Sequence, residues 1–210
     1  ELGLEGYKFV NSTGLNNANL FGMHPKGTGA ADENVMPAKS MAKLAYHLLK
    51  EHPEVLETSK IEKKIFREGT DDEIEMENWN FMLPGLVYKY AGVDGLKTGT
   101  TNLAGYCFTG TAKRDGTRLI AVVMKAVDSQ GVGSYKARFD ATAKLFDYGF
   151  GQFTNQELVP ANYVVEDQKT IPVTKGKEDS VGIATKDDLS FMMKSSDKDA
   201  YTTKLILDVE

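Results

Sequence analysis

Apolar positions along this chain follow two periods, and the changes of period divide it into segments. Over "PAKSMAKLAYHLLKEHPEVL", Met41, Leu44, Leu48 and Leu49 recur at helical spacing, with Lys39, Lys43 and Lys50 on the other side. That spacing predicts an amphipathic helix. Pro37 suits its first turn, and Pro53 stops it after His52. The period then drops to two. "KIEKKIFRE", a turn at "GTDDE", and "IEMENWNF" with Ile74 and Met76 alternating against Glu75 and Glu77 predict a β-hairpin. "LPGLVYKYAGV" is expected to be a short helix leading back to the sheet. "GYCFTGTA" and "TRLIAVVMKA" are β-rich runs joined by "KRDG", whose Asp115-Gly116 pair is a strong hairpin signal. Ile120, Val122 and Val123 predict a strand buried on both faces, hence a central one. In "SYKARFDATAKLFDYGFGQF" the helical period returns through Phe139, Ala143, Phe146 and Phe150.

The ends lack such order. Residues 1–35 are packed with Asn, Gly, Ser and Thr, the residues of turns and positive φ. Phe9, Leu15, Leu20 and Phe21 are expected to anchor this long loop, and anchored loops of this length are commonly functional. After Phe153 no helical period survives. Short alternating runs separated by Lys, Asp, Gly and Ser read as about four strands. The expected division is therefore a first domain over 1–156 and a β-rich module over 157–210. At about fifty residues that module is small for an independent core, so it is either truncated or leans on the first domain.

Composition narrows the function classes. The 210 residues carry 41% hydrophobic and 26% charged side chains, ordinary for a globular protein, and a net charge of −5. Neither the charge nor any basic run points to nucleic acid. No apolar run approaches a membrane span. The single cysteine, Cys107, excludes an internal disulfide, and its place among Tyr106 and Phe108 reads as a buried inert thiol. The chain opens on "ELGLEGYKFV" without an initiator Met and reads as a fragment or processed piece.

Metal chemistry finds little support. His47 and His52 share a helix but stand five apart, and His24 is remote, so no metal or cofactor is expected. "PKGTGAADEN" lacks phosphate-loop spacing, there is no Gly-x-Ser-x-Gly elbow, and Ser12 and Ser40 lack an evident base. The candidate chemistry is Lys97-Thr98-Gly99-Thr100, just before the hairpin. A strand here puts a cation and a hydroxyl beside a gap. Glycine lets a ligand backbone approach, and a strand edge can pair an extended peptide. Strict alternation would put Lys97 and Gly99 on one side and Thr98 on the other, although a twisted edge strand can present all three. A surface turn entering the hairpin explains the same letters.

Lys-Thr-Gly is one of three signatures of penicillin-binding proteins and β-lactamases, beside Ser-x-x-Lys and Ser-Asp-Asn. The wider segment "VDGLKTGTTNLAGYCFTGTAKRDGTRLIAVVMKA" resembles the low-molecular-weight D-alanyl-D-alanine carboxypeptidases of bacterial cell walls. So do "ELGLEGYKFVNSTGL", "PAKSMAKLAYHLLKEHPEVLE", "FREGTDDEIEMENWNFMLPGLV" and "RFDATAKLFDYGF", in order, and the likeness is strongest to Gram-positive members. The resemblance implies an α+β fold, a β-lactamase/DD-peptidase-like antiparallel sheet with flanking helices, followed by a small all-β sandwich-like domain. It implies a serine peptidase that removes the terminal D-alanine of peptidoglycan stem peptides through an acyl-enzyme and is inhibited by penicillin, at the outer face of the cell membrane. Lys97 and Thr100 would be catalytic: Lys97 in the proton network and facing the substrate carboxylate, Thr100 through its backbone N–H as an oxyanion donor. Thr98 would bond the carboxylate, Gly99 permit close approach, Arg138 bind the carboxylate, and Leu15 line the cleft edge. Arg138 reads equally well as a solvated first-turn arginine.

The sequence also departs from the family. Ser-x-x-Lys is not found in a suitable place and Ser-x-Asn is absent; both are expected upstream, in a missing N-terminal segment that would be this chain's partner. Ser195-x-x-Lys198 lies in the β-rich tail and is rejected. Thr13 stands where some members have histidine, and Ser40 where an aspartate often opens the helix. The isolated chain is expected to be inactive. A catalytically dead cell-wall binding or sensing relative stays open, and so does a β-lactamase.

Overall fold

The computed structural model describes residues 2–207, which fall into two compact units dividing after Tyr148. The first unit begins with the Asn-rich loop. A β-bridge between Lys8 and Val35 closes its base. Side-chain amides hold its interior. Asn34 Oδ1 accepts the backbone N–H groups of Val10 and Asn11, and the Asn17 amide donates to Thr28 Oγ1 and the Gly29 carbonyl. Asn17 is fully buried, whereas Phe9, Leu15 and Phe21 are exposed. The loop is thus framed by amides rather than by the expected apolar anchors. Backbone donors in such a loop have no ladder to join, and amide side chains supply their partners.

The predicted helix is α1 (Ala38–Glu51), ending just before Pro53 as expected, and a short α2 (Val55–Ser59) follows it. Pro53 separates them, as its missing N–H requires. Ser40 and Ala45 are the buried residues of α1. The hairpin β1 (Lys63–Phe66) and β2 (Ile74–Glu77) pairs Lys64 with Met76 and Phe66 with Ile74. "LPGLVYKYAGV" is a run of turns, not a helix. Pro84-Gly85 breaks it, and cross-turn bonds such as Tyr88 N–H to Phe81 O and Tyr90 N–H to Met82 O hold it instead.

Three antiparallel strands form the main sheet in the order β3 (Val93–Thr101), β4 (Gly105–Arg114), β5 (Thr117–Val123). The centre is β4, with Phe108, Gly110, Thr111 and Ala112 buried. The expected centrality of β5 is corrected: among the described residues it is an edge strand, and Ile120 and Val122 are half-buried. The long helix α3 (Tyr135–Gln152) lays Ala137, Phe139 and Phe146 inward. Phe139 meets Phe108 of β4 at 5.4 Å, and Tyr88 and Phe81 of the turn region at 5.6 and 5.9 Å. Edge-on and tilted ring contacts of this kind join helix, sheet and turns into one core.

The second unit, described by itself, has two ladders: β6 (Phe153–Val159) with β9 (Leu189–Lys194), and β7 (Thr170–Pro172) with β8 (Ser180–Gly182). Val159 and Met193 are its buried apolar residues. No helix among the described residues is long and apolar enough to cross a membrane.

Candidate active site

Strand β3 lies at the sheet edge, and Leu96 through Thr100 border one cavity of about 1080 Å³ with Arg138. The edge position presents residues of both alternating faces to it, so Lys97, Thr98 and Gly99 share the cleft despite the strand's period of two. The Lys97 ammonium bends back onto the carbonyl of Thr98 at 2.5 Å. Gly99 stands opposite Cys107 in register. A Cβ added at Gly99 would meet nothing within 4 Å, and its backbone is not left-handed. Gly95 contrasts with it: a Cβ there would lie 2.8 Å from Ser59 Oγ and 3.0 Å from Leu56 Cδ2. Gly95 is therefore required by packing against α2, whereas nothing in the described chain requires glycine at 99.

Arg138 comes from the first turns of α3 and is only 1% exposed. Its Nη1 donates to Thr100 Oγ1 at 3.3 Å. Its guanidinium lies 4.9 Å from the Phe139 ring centre and 5.8 Å from that of Tyr106. No ion pair involves Arg138 among the described residues, and its Nε has no hydrogen-bond partner. Burial pulls its pKa below the ordinary value, against the opposing pull of Tyr106 and Cys107. A buried cation without a counter-charge costs free energy of several kcal/mol, and an arriving anion recovers it. Its guanidinium fork suits a carboxylate. The solvated reading of Arg138 is thus set aside.

The structure brings together Lys97, Thr98, Gly99, Thr100 and Arg138 but not Leu15. Leu15 lies in the amide-framed loop, 47% exposed, and does not border this cavity. Cys107 does border it, half-buried, with its thiol on the Ala104 carbonyl at 3.3 Å, so the buried-thiol expectation is only partly met.

One spacing escaped the sequence reading. Ser40-Met41-Ala42-Lys43 also reads Ser-x-x-Lys, at the start of α1. Its geometry does not suit a nucleophile. Ser40 is buried, its hydroxyl donates to the Glu5 carbonyl at 2.7 Å and accepts the Glu5 N–H at 3.0 Å, and Lys43 Nζ donates to the Gly3 carbonyl. Neither residue borders the cavity.

Trp79, the single tryptophan, was also passed over; it borders the cavity and is 70% exposed. The flanking pattern Asn78-Trp79-Asn80, at the end of an alternating strand, was the available signal. Among the described residues no group of three His, Cys, Asp or Glu side chains is placed to hold a metal.

The sequence pattern of the D-alanyl-D-alanine carboxypeptidases (peptidase S11) matches residues 1–128. The chain belongs to this family. A second pattern, the C-terminal domain of penicillin-binding protein 5, matches residues 153–210. The chain is 31% identical over 197 residues to D-alanyl-D-alanine carboxypeptidase DacF of Bacillus subtilis (strain 168), covering 94% of this chain and 43% of that protein. Its fold resembles a peptidoglycan synthesis regulatory factor, PBP3, from Streptococcus pneumoniae: TM-score 0.76, 34% identity, 92% of this chain and 52% of the other. It also resembles penicillin-binding protein D2 from Listeria monocytogenes in its ampicillin-bound form, with TM-score 0.54, 34% identity, and coverage of 71% and 51%. The chain thus spans about half the length of the proteins it matches. The mixed helix and antiparallel-sheet architecture agrees with the α+β class expected from the sequence.

Proposed function

We propose that the whole protein is a serine-type D-Ala-D-Ala carboxypeptidase acting on peptidoglycan stem peptides outside the cytoplasm, and that this chain carries one wall of its cleft. Residues 1–156 are then part of the catalytic domain, and 157–210 the β-rich domain that follows. The observation that carries the reading is Arg138: a buried cation without a counter-charge, bonded to Thr100 where the Lys-Thr-Gly strand borders the cavity. That geometry suits the terminal carboxylate of a peptide laid along β3. Lys97 adds a second positive charge and takes part in the proton network, Thr98 bonds the carboxylate, and Gly99 leaves room for the peptide backbone. The Thr100 N–H stabilises the oxyanion, the kind of interaction worth about 3 kcal/mol.

The nucleophilic serine is placed in the half of the protein outside this chain. Its oxygen adds to the carbonyl of the penultimate D-alanine, and its proton passes to the leaving amine. The peptide C–N bond breaks, D-alanine departs, and water cleaves the resulting ester to restore the serine. Penicillin presents a carboxylate and a strained amide to the same groups and acylates that serine. The Listeria relative's ampicillin-bound form supports this.

Labelled penicillin tests the proposal. The full-length protein is expected to take up one label covalently, and this chain alone none. Labelling of the isolated 210 residues overturns the placement of the nucleophile, and an unlabelled full-length protein overturns the enzyme. In the full-length protein Lys97→Ala is expected to slow acylation at least about a hundredfold with an unchanged melting curve. Near-normal acylation removes Lys97 from the mechanism.

A further inference from the structure

Three elements of the first unit leave apolar faces uncovered, and all three turn them to the same cavity. On α1 the buried residues are Ser40 and Ala45, whereas the stripe of Met41, Leu44 and Leu48 is only half-buried and borders the cavity. An amphipathic helix ordinarily does the reverse and lays its large side chains inward. The hairpin β1–β2 is exposed along its whole length, and its Met76 borders the cavity beside Trp79, which is 70% exposed. A two-stranded hairpin is marginal without a layer against its apolar face. On β5 the half-buried Val122 borders the cavity too. That strand has one described neighbour, although its run 119–123 is apolar enough for two. Such an edge is a template for a further strand.

Trp79 is fixed rather than loosely exposed. The Asn78 amide donates to the carbonyls of Ser59 and Ile61 at 3.0 and 2.9 Å, and Asn80, 1% exposed, donates to the Gly95 carbonyl of β3 at 3.2 Å. A tryptophan held in place by its neighbours and left bare is suited to anchor an interface.

The chemistry of this surface and the length of the relatives select its occupant. A stem peptide laid along β3 leaves the α1 and hairpin walls bare. The charged residues on the cavity border are Lys64, Glu77, Lys97 and Arg138, and most of the rest is apolar. Contiguous apolar surface of this kind marks protein contacts, and obligate ones resemble a core cut in two. The chain covers 43% of DacF and 52% of the Streptococcus pneumoniae PBP3, so a remainder of similar size is left to place. A serine in that remainder reaches a carbonyl held at Thr100 only if the remainder lies against this cavity.

We propose that the groove between α1, the β1–β2 hairpin and β5 is where the half of the protein outside this chain docks, and that packing on it, rather than continuity of the backbone, holds the two halves together. The choice of occupant rests on the reading that places the serine in that half.

The test uses the full-length protein with a protease recognition sequence inserted ahead of Glu1. After cutting, the two fragments are expected to elute together from a sizing column in native buffer and to part in urea. Fragments that part in native buffer overturn the proposal. Leu48→Asp is expected to release the fragments on cutting, and Lys50→Asp, on the exposed side of α1, to leave them together. Equal behaviour of the two variants overturns the groove as the contact. Hydroxyl-radical footprinting needs neither insertion nor variant. In the unmodified full-length protein Trp79 and Met76 are expected to lose most of the reactivity they have in this chain alone, and equal reactivity overturns the proposal. Self-association of this chain through the same residues, with the cut fragments apart, assigns the groove to a second copy instead. An unmodified protein that takes no penicillin label removes the cleft reading, while protection of Trp79 and Met76 in it leaves the docking standing.

Discussion

Arg138 and Gly99 both hold residues that folding alone would not choose. Arg138 is buried against aromatic rings without a carboxylate. Replacing it by methionine, of similar length and no charge, is expected to raise stability by about 1 kcal/mol or more and to abolish penicillin labelling of the full-length protein. Urea unfolding checks the first outcome and gel fluorescence the second. A destabilised Arg138→Met would show that the guanidinium is already compensated. Gly99 has open space around its Cα and an ordinary backbone. Gly99→Ala is expected to stabilise by roughly 0.5–1 kcal/mol, the usual cost of glycine within a strand, while slowing acylation. Unchanged acylation would mean that no ligand backbone passes there. With both outcomes, the two positions would follow the trade of stability for activity common at binding sites.

Tyr90, just before β3, shows how a helix is tied to the sheet. Its hydroxyl donates to Asp147 of α3 at 2.7 Å, its ring meets Phe146 at 5.4 Å, and Arg114 stacks over it at 4.4 Å. Burial, with the Asp147 bond adding to it, pushes the phenol up to about 12. An unfolded tyrosine loses its proton near 10. The contribution is therefore fully present below pH 10 and is lost as pH rises towards 12. Denaturation midpoints are expected to fall over that window, and Tyr90→Phe is expected to flatten the fall. An identical pH profile in the variant would assign the drop to other groups. At this scale the sequence was readable wherever the period was local. The helices α1 and α3 and the hairpins β1–β2 and β4–β5 follow from spacing and the Asp115-Gly116 turn. Among the described residues β5 has one neighbouring strand: Ile120 and Val122 report apolarity, whereas the number of neighbouring strands is set by distant chain. The run after Pro84 was misread because apolar residues in turns carry no period. In the site, the motif marked Lys97 to Gly99 and the resemblance marked Arg138. Trp79 was invisible, since an exposed tryptophan between two asparagines matches no periodic template.

The two units differ in how much core they possess. In the first, Phe108, Phe139 and Phe146 sit with Met82, Leu83 and Val93 in a buried interior. In the second, Val159 and Met193 stand for the whole of it among the described residues. Residues 153–210 made alone are expected to melt without a sharp transition and to exchange their amides quickly, since so small a core falls short of the conformational entropy of folding. A cooperative melt would reveal packing beyond those two side chains. Across the molecule, the contrast between Gly95 and Gly99 has a consequence for how the sequence can drift. In a library screened for folded protein alone, position 95 stays glycine because Ser59 and Leu56 crowd it, while position 99 accumulates alanine and serine. Screened for penicillin capture, both stay glycine. Comparing the two surviving populations position by position would therefore separate what folding demands of β3 from what the cleft demands.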